Sequence, residues 1–235
     1  MAIELPTPVV DFLQVIGINF PQVNEDSVRT FASHVRDFAS GVDSTHQAAT
    51  STVNAMSSAY SGSSYEQLVE TWANMSSSHM KELVDGCNVV ATALDAAADV
   101  IVAMKVEAIA ELVVLAATFV ADQAAAVVTF GLSEVALPLI EEAGTKICEF
   151  LEQQLLQHII GAVITAAIEP LEAIVEKAIS GLKFSSGGAA KAPGPSFGMI
   201  PDQLLAHGTE LQGHADTVAD HANTLSTNLS GLSFA

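Results

Sequence analysis

The feature that most constrains the fold is a proline-free run from Ser63 to Gly131 in which apolar residues recur every three or four positions. That spacing places the apolar residues along one face of an α-helix. If the helix is continuous, it is roughly 100 Å long at about 1.5 Å per residue. A helix of this length does not fit into a compact globule. The sequence therefore predicts an all-α fold, an elongated bundle of long antiparallel amphipathic helices.

A second long helix is predicted between Asn24 and Gly62. Asn24 is a favourable N-cap residue, and the acidic Glu25 and Asp26 follow it at the positive end of the helix dipole. Apolar residues then keep a heptad spacing for more than four heptads, which predicts a seam that contacts another helix. The residues predicted to form this seam and interface are Val28, Phe31, Val35, Phe38 and Val42.

Four segments are predicted along the chain. Prolines and Gly17 indicate an irregular segment over residues 1–23, and a helical domain follows over 24–184. Residues 185–201 are rich in glycine, proline and serine, which predicts a linker. A last amphipathic helix over 202–235 should pack back on the bundle, because one such helix alone is marginally stable. The seam of this last helix includes Leu211, Val218 and Leu225.

Charge and composition narrow the range of functions. The chain has 27 acidic and 8 basic residues and a net charge of −19, which repels the phosphates of nucleic acids and of anionic lipid head groups. Half of the residues are hydrophobic, which supplies a core and argues against disorder. Cys87 and Cys148 are interpreted as small buried hydrophobic residues, with a single disulfide between them as the alternative. The acidic N-terminus lacks the basic region of a signal peptide, so export would need another route.

No enzymatic activity is predicted. The sequence contains no glycine-rich phosphate loop, no His-Glu-x-x-His and no Gly-x-Ser-x-Gly. Adjacent acidic residues such as Glu141 and Glu142 diverge on a helix and indicate a solvated face. We therefore expect no catalytic residues, no cofactor, no metal ion and no nucleic-acid partner.

Residues 108–168 form the most apolar part of the chain and leave two interpretations open. They are either the core of a soluble bundle or a partner interface, or else a membrane-inserting hairpin that turns near Gly131. The stretch 112–133 is long enough to span a bilayer, but Asp122 near its middle costs about 2.5–3.5 kcal/mol on insertion scales. The candidate contact residues for a membrane or a partner are Leu112, Phe119, Phe130, Ile159 and Ile164.

Three histidines lie on one face of the last predicted helix, because His207, His214 and His221 recur every seven residues. Neighbouring members of the row lie about 10.5 Å apart along the axis, which is too far to chelate one metal ion. Acidic neighbours such as Glu210 and Asp216 would favour protonated imidazoles. The row is interpreted either as a solvated flank of the helix or as a pH-sensitive docking face.

The turn between the first two long helices carries an aromatic residue, a spacer and a glycine, Tyr60-Ser61-Gly62, and Trp72 follows in the next helix. Over residues 24–183 this arrangement resembles the WXG family of type VII secretion substrates. The resemblance is closest to the long WXG-like N-terminal domains of actinobacterial polymorphic toxins and mycobacterial channel-toxin proteins. In those domains Trp-x-Gly lies at the hairpin turn and a second aromatic residue follows. Tyr60 and Gly62 take the place of Trp-x-Gly, and Trp72 takes that of the second aromatic residue.

The resemblance implies a non-enzymatic helical protein, a type VII secretion-associated substrate or targeting module. It would pack its helices against a second copy or against another helical secretion-associated protein, as a homo- or hetero-oligomer. The implied location is secreted or cell-surface, with the cytoplasm as the alternative. The family's Tyr-x-x-x-Asp/Glu export signal is missing, because Val69 lies four positions after Tyr65. The alternative function is a helical membrane-active or pore-forming protein that uses residues 108–168.

Overall fold

A computed structural model describes residues 3–20, 23–129, 136–163, 173 and 198–234. In these residues the chain forms long α-helices, a 3-10 turn, a π-helical segment and two short strands that pair antiparallel. The α-helices are α1 (Thr7–Ile16), α2 (Glu25–Ala55), α3 (Ser63–Met75), α4 (Lys81–Thr129), α5 (Ala136–Val163) and α6 (Pro201–Ser230). The other elements are the 3-10 turn (Met56–Ser58), the π-helical segment (Ser76–Met80), β1 (Tyr60–Ser61) and β2 (Gly198–Met199). The predicted all-α class is confirmed.

The chain divides into two compact units. Unit 1 comprises Met1–Thr30, Ala93–Thr165 and Ser233–Ala235, and unit 2 comprises Phe31–Thr92 and Ala166–Leu232. Helix α2 therefore contributes its first turns to unit 1 and the rest of its length to unit 2. Helix α4 begins in unit 2 and continues in unit 1.

Unit 1 is built around two hydrophobic clusters. The first cluster joins α1, α4 and α5 and contains the buried side chains of Phe12 and Leu112, with the half-buried Phe119 packed against it. Leu112 and Phe119, which the sequence offered as membrane or partner contacts, thus pack within unit 1. The second cluster joins the first turns of α2 to α4 and α5 through Val28, Ala98, Ile101, Ala108, Leu151 and Leu155.

The prediction of an irregular segment over residues 1–23 is wrong for Thr7–Ile16, which forms α1. Proline is tolerated in the first turn of a helix, where its missing N–H would have no helical partner. Pro8 occupies that turn, so it begins the helix and does not break it. Gly17 ends α1 in a left-handed conformation with φ 72°, and its N–H donates to the carbonyl oxygen of Gln14.

The helical run that begins at Ser63, whose continuity the sequence left open, includes one π-helical segment within the described residues. The π-helical segment Ser76–Met80 separates α3 from α4, which then continues for 49 residues. Serine is a weaker helix former than alanine or leucine, and three consecutive serines open this segment. The hydroxyl of Ser76 donates to the carbonyl oxygen of Trp72 at 2.8 Å and competes with the regular backbone pattern.

The end of the predicted linker has regular structure. Gly198–Met199 forms β2, which pairs with β1 so that Met199 lies opposite Tyr60. The N–H of Ile200 then donates to the carbonyl oxygen of Ala59 at 2.7 Å, and α6 begins at Pro201. The residues 198–201 are therefore part of the fold. The remainder of the predicted linker, residues 185–197, lies outside the described residues, as does the predicted turn at Gly131.

Both cysteines are free thiols, so the disulfide alternative is wrong. Cys148 is buried in the first cluster of unit 1, and Cys87 is half-buried in unit 2. Burial raises the pKa of both thiols, which keeps them protonated and unreactive near neutral pH.

Candidate helix-binding groove

The turn between α2 and α3 depends on Gly62. Its φ of 135° and ψ of 174° fall in a region that is open almost only to glycine. The carbonyl oxygen of Gly62 accepts hydrogen bonds from the N–H groups of Tyr65 and Glu66, which begins α3. The Tyr60 ring lies edge-on to that of Tyr65, with 6.1 Å between the ring centroids. Tyr60 and Gly62 are thus both placed at the hairpin turn.

Trp72 joins α3 to α2 by a hydrogen bond and a ring contact. Its indole Nε1–H donates to the Thr50 hydroxyl oxygen at 2.9 Å, and the Thr50 hydroxyl donates in turn to the carbonyl oxygen of His46. The indole stacks on the His46 imidazole, with ring centroids 5.1 Å apart and an interplanar angle of 15°. Trp72 therefore holds the two arms of the hairpin together below the turn.

His46 completes this network. The Ser76 hydroxyl has its single proton on the carbonyl oxygen of Trp72, so its oxygen accepts from His46 Nε2–H at 2.8 Å. Burial lowers the pKa of His46, against a smaller raising effect of the Asp43 carboxylate. The neutral imidazole with its proton on Nε2 is the form that this geometry favours.

Two of the three histidines of the α6 row, His214 and His221, contact α2, which corrects the interpretation of the row as a solvated flank. His214 and His221 hydrogen-bond through Nε2 to the hydroxyl oxygens of Thr52 and Thr45, each at 3.2 Å. Both threonine hydroxyls donate to backbone carbonyl oxygens four residues earlier, so they accept from the imidazole Nε2–H groups. His207, the third member, lies 3.7 Å from a Glu210 carboxylate oxygen on its own helix. The polar row docks α6 antiparallel on α2.

The predicted seam residues of unit 2 pack inside the unit. Val35 and Val42 are buried in α2, and Phe31 and Phe38 are half-buried. On α6, Leu211, Val218 and Leu225 are half-buried, and α6 has no fully buried residue. Helix α6 therefore covers α2 with one face and leaves most of its surface exposed.

Between α2, the end of α3 and α6 lies an apolar groove with a volume of about 380 Å³. The surface exposed in the groove is mostly apolar. Trp72 Nε1 and His214 Nε2 are hydrogen-bonded to α2, and His46 Nε2 is hydrogen-bonded to Ser76. Met75, at the rim, is 47% exposed. The lining residues are Thr45, His46, Ala49, Trp72, Met75, His79, Met80, Leu211, His214, Ala215 and Val218. We call this feature the hairpin groove.

The hairpin groove was not predicted, although several of its residues were. Trp72, His214, Leu211 and Val218 were selected from the sequence for separate reasons, and the fold of unit 2 brings them together. The three consecutive serines between Met75 and Met80 are the one local signal that could have indicated the π-helical segment. Methionine at a groove is typical of surfaces that adapt to different apolar side chains.

The side chains of three predicted contact residues of the apolar region 108–168 lie outside the described part of the structure. Phe130 and Ile164 lie outside the described residues, and Ile159 lies in α5 with its side chain outside them. Among the helices that the structure describes, none combines the length and apolarity that a membrane crossing requires. Over the same ranges, no group of His, Cys, Asp or Glu side chains is placed to hold a metal ion.

The hairpin that turns at Gly62 and is joined by Trp72 defines the class of protein, a helical hairpin of the WXG type. The chain belongs to the WXG100-like domain family, whose domain matches residues 4–139. This is a family of helical proteins related to type VII secretion. The match begins at residue 4 and therefore includes α1, whereas the helical domain was predicted to begin at residue 24. No curated protein and no solved structure matches this chain.

One consequence of the histidine docking can be tested at Gly41. A Cβ at position 41 would lie 2.9 Å from two atoms of the His221 ring, which is closer than van der Waals contact allows. Glycine normally weakens a helix by about 0.5–1 kcal/mol relative to alanine. We expect Gly41→Ala nevertheless to lower the free energy of unfolding, because overpacking costs about 1–3 kcal/mol. Urea unfolding followed by circular dichroism measures the change.

Gly213 on α6 is the matched control, because nothing lies within 4 Å of a Cβ built there. Gly213→Ala should raise the free energy of unfolding by about 0.5–1 kcal/mol. Truncation of the ring in Gly41→Ala/His221→Ala should remove the penalty that Gly41→Ala causes in the presence of His221. If Gly41→Ala stabilises the protein as much as Gly213→Ala, the docking of His221 against α2 is wrong.

Proposed function

We propose that this protein is a non-enzymatic type VII secretion-associated substrate or targeting module that binds a helix of a partner protein. The observation that carries the proposal is the hairpin groove, an apolar groove bordered by the WXG-type hairpin and by α6. Amphipathic helices bind in such grooves through apolar side chains spaced three and four residues apart. Family membership supports the link to type VII secretion, and the groove supplies a surface for the partner.

Burial within the unit supports this choice of surface. Val35 and Val42 are covered by the chain itself and are not available to a partner. By contrast, Met75 and His79 line the groove, Met75 is 47% exposed, and Leu83, farther along the chain in α4, is 44% exposed. Exposed apolar side chains beside a formed groove are typical of an interaction surface.

Export is the first test of the proposal. The tagged chain is expressed in a host with an active type VII system and in the same host with that system disabled, and the culture medium is assayed. The chain should appear in the medium only when the system is active, alone or together with a co-expressed helical protein encoded beside it. Its appearance in both hosts, or in neither under any co-expression, would contradict the secretion role.

Mass in solution is the second measurement. Light scattering on the purified chain, alone and mixed with each helical protein encoded beside it, should give a defined complex. The same sample is then sedimented with liposomes. Co-sedimentation with lipid is expected only if the membrane-active alternative is correct. A chain that stays monomeric with every such protein contradicts the partner-binding function.

A further inference from the structure

One face of α4 in unit 1 is both apolar and exposed. Between residues 103 and 121, all of which the structure describes, it carries alanines and valines in alternation at spacings of three and four. Val106, Val113 and Val120 are 53%, 42% and 61% exposed. This spacing is the heptad pattern through which one helix packs against another. We call the row the outer α4 seam, and its members, all exposed, are Ala103, Val106, Ala110, Val113, Ala117 and Val120.

The three charged residues between 103 and 121 lie away from the outer α4 seam. Lys105 is buried in its ion pair with Glu25. Glu107 and Glu111 line a small groove between α4 and α5, so both carboxylates lie on the side of α4 that faces α5. The seam is therefore an uncharged strip on a chain whose net charge is −19. A contiguous exposed apolar strip of this kind is typical of an interaction surface.

We infer that the outer α4 seam binds the same seam of a second copy of this chain, with the two α4 helices antiparallel. In a dimer with two-fold symmetry, the same surface of both copies forms the contact. When the seam is read in opposite directions about its midpoint, each alanine lies opposite a valine of the other copy. The pairs are Ala103 with Val120, Ala110 with Val113 and Ala117 with Val106. Each contact then joins a large and a small side chain, which allows the two helices to interdigitate at an even spacing.

A parallel dimer is disfavoured by the same residues. Each residue would then lie opposite its own copy, so the valine layers would hold the helices apart and leave voids at the alanine layers, at a cost in stability. Glu107 would also lie level with Glu107 of the second copy. In the antiparallel arrangement these two carboxylates are about 13.5 Å apart along the helix axis. That separation exceeds the Debye length of about 10 Å at 0.1 M salt.

A lipid surface fits the outer α4 seam less well than a second copy does. Helices that lie in a membrane interface carry lysine or arginine beside their apolar face, where these residues bind anionic head groups. Within residues 103–121 the one cation, Lys105, is buried in its pair with Glu25, and the other two charges are carboxylates. The dimer interface thus lies in unit 1, apart from the hairpin groove of unit 2, and goes beyond the proposed function.

The first measurement is the mass of the full chain in solution as a function of its concentration. Sedimentation equilibrium over micromolar to millimolar concentrations should show a monomer that converts to a dimer. Because two chains of net charge −19 repel each other, added salt should strengthen the dimer. An association that salt weakens would indicate an ionic contact and would contradict an apolar seam.

Val113 and Thr118 provide a matched pair of variants, because both are exposed β-branched residues of α4. Val113→Glu places a carboxylate in the middle of the apolar contact, opposite Ala110 and without a counter-charge, and should weaken the dimer at least about tenfold. Thr118 lies seven residues after Glu111 and therefore on the Glu111 side of the helix. Thr118→Glu adds the same charge and should leave the dimer within about twofold of the parent. Circular dichroism verifies that both variants keep the fold.

Cross-linking tests the direction of the two helices. A mixture of Ala103→Cys and Val120→Cys chains should form a disulfide between the two introduced cysteines, because these positions face each other. The Ala103→Cys chain alone should not cross-link through position 103, since the two copies of that position lie roughly 25 Å apart along the axis. The parent chain measures any background from Cys87 and Cys148.

Several results would overturn the inference. A mass that stays monomeric over the whole range excludes the dimer, and a dimer that Val113→Glu weakens no more than Thr118→Glu does uses another surface. A disulfide through position 103 in the Ala103→Cys chain alone shows parallel helices. If the parent alone is monomeric and Val113→Glu abolishes co-sedimentation with liposomes or binding of another helical protein, the seam serves that occupant instead. A chain that is exported with a bound partner but is monomeric alone contradicts this inference and leaves the proposed function standing.

Discussion

Replacing Lys105 with methionine is expected to lower the free energy of unfolding by about 3–5 kcal/mol. In unit 1 the Lys105 Nζ lies 2.6 Å from a carboxylate oxygen of Glu25, and the two side chains are 5% and 2% exposed. The backbone N–H of Ile3 donates to the other carboxylate oxygen. Without the ammonium group the buried carboxylate keeps the N–H of Ile3 as a partner but has no counter-ion. The cost of burying its charge is then uncompensated.

Two variants control for this prediction. Lys146 forms a similar pair with Glu142 on α5, but both side chains are more than half exposed, so Lys146→Met should change stability by less than about 0.5 kcal/mol. The double variant Glu25→Leu/Lys105→Met should regain most of the stability, because an apolar pair no longer needs its charge compensated. Urea unfolding followed by circular dichroism gives all three values. Equal effects of Lys105→Met and Lys146→Met would show that the buried pair is unimportant.

The same pair predicts how stability depends on pH. Burial is the largest influence on the pKa of Glu25 and raises it, but hydrogen bonds from Lys105, from Ile3 and from its own backbone together outweigh burial and lower the pKa. A carboxyl group whose pKa is lower in the folded state stabilises the fold above its unfolded pKa and loses that contribution on acidification. Stability should therefore fall below about pH 4 in the parent and depend less on acid in Glu25→Leu/Lys105→Met.

The start of α2 and the turn before α3 depend on local signals that the sequence contains. Asn24 accepts a hydrogen bond from the N–H of Ser27 through its side chain at 3.1 Å, as an N-cap residue does, and α2 begins at the next position. Gly62 occupies a conformation that few other residues adopt, so its role at the turn follows from the residue itself. Both features depend on interactions within a few residues, and these are readable from the sequence.

The choice of face on α6 could not be predicted in the same way. Gly208, Ala215 and Ala222 repeat every seven residues beside the leucines and suggest close packing, whereas the structure leaves all three exposed. The histidine row packs against α2 in their place because Thr45 and Thr52 offer hydroxyl oxygens at the matching seven-residue spacing. That match involves two helices far apart in the sequence, and the periodicity of either helix alone does not contain it.

The hairpin groove was missed for a related reason. Trp72 was selected because it follows the turn. The groove also requires the π-helical segment and the packing of α6 against α2. The start of α6 is held beside the hairpin turn by β2 and by the hydrogen bond from the N–H of Ile200 to Ala59. Both β2 and Ile200 lie in the segment that the composition predicted to be a linker. A sequence can show which residues are apolar, whereas the groove depends on which apolar faces remain uncovered.

Phe12→Ala is the second change for which we expect a loss of about 3–5 kcal/mol, the usual cost of truncating a buried phenylalanine. Phe12 is 2% exposed in the first cluster of unit 1, and its ring lies 5.5 Å from that of Phe119 at a tilted angle. Gly144 on α5 makes room for α1, because a Cβ there would lie 2.9 Å from Ile16 and 3.3 Å from Phe12. The cavity left by the ring would therefore lie beside a close contact between α1 and α5. Because these helices are already close together, they cannot move in easily to fill the cavity.

Val15→Ala on the same helix is the control, because Val15 is 63% exposed and should cost less than about 0.5 kcal/mol. The comparison decides whether α1 is an integral part of the domain. If Phe12→Ala costs no more than Val15→Ala, α1 contributes little to unit 1, and the stable helical domain begins near residue 24, as the apolar periodicity alone suggests. If the expected difference is found, the prolines at the start of the chain position a helix on which unit 1 depends, consistent with the family match that begins at residue 4.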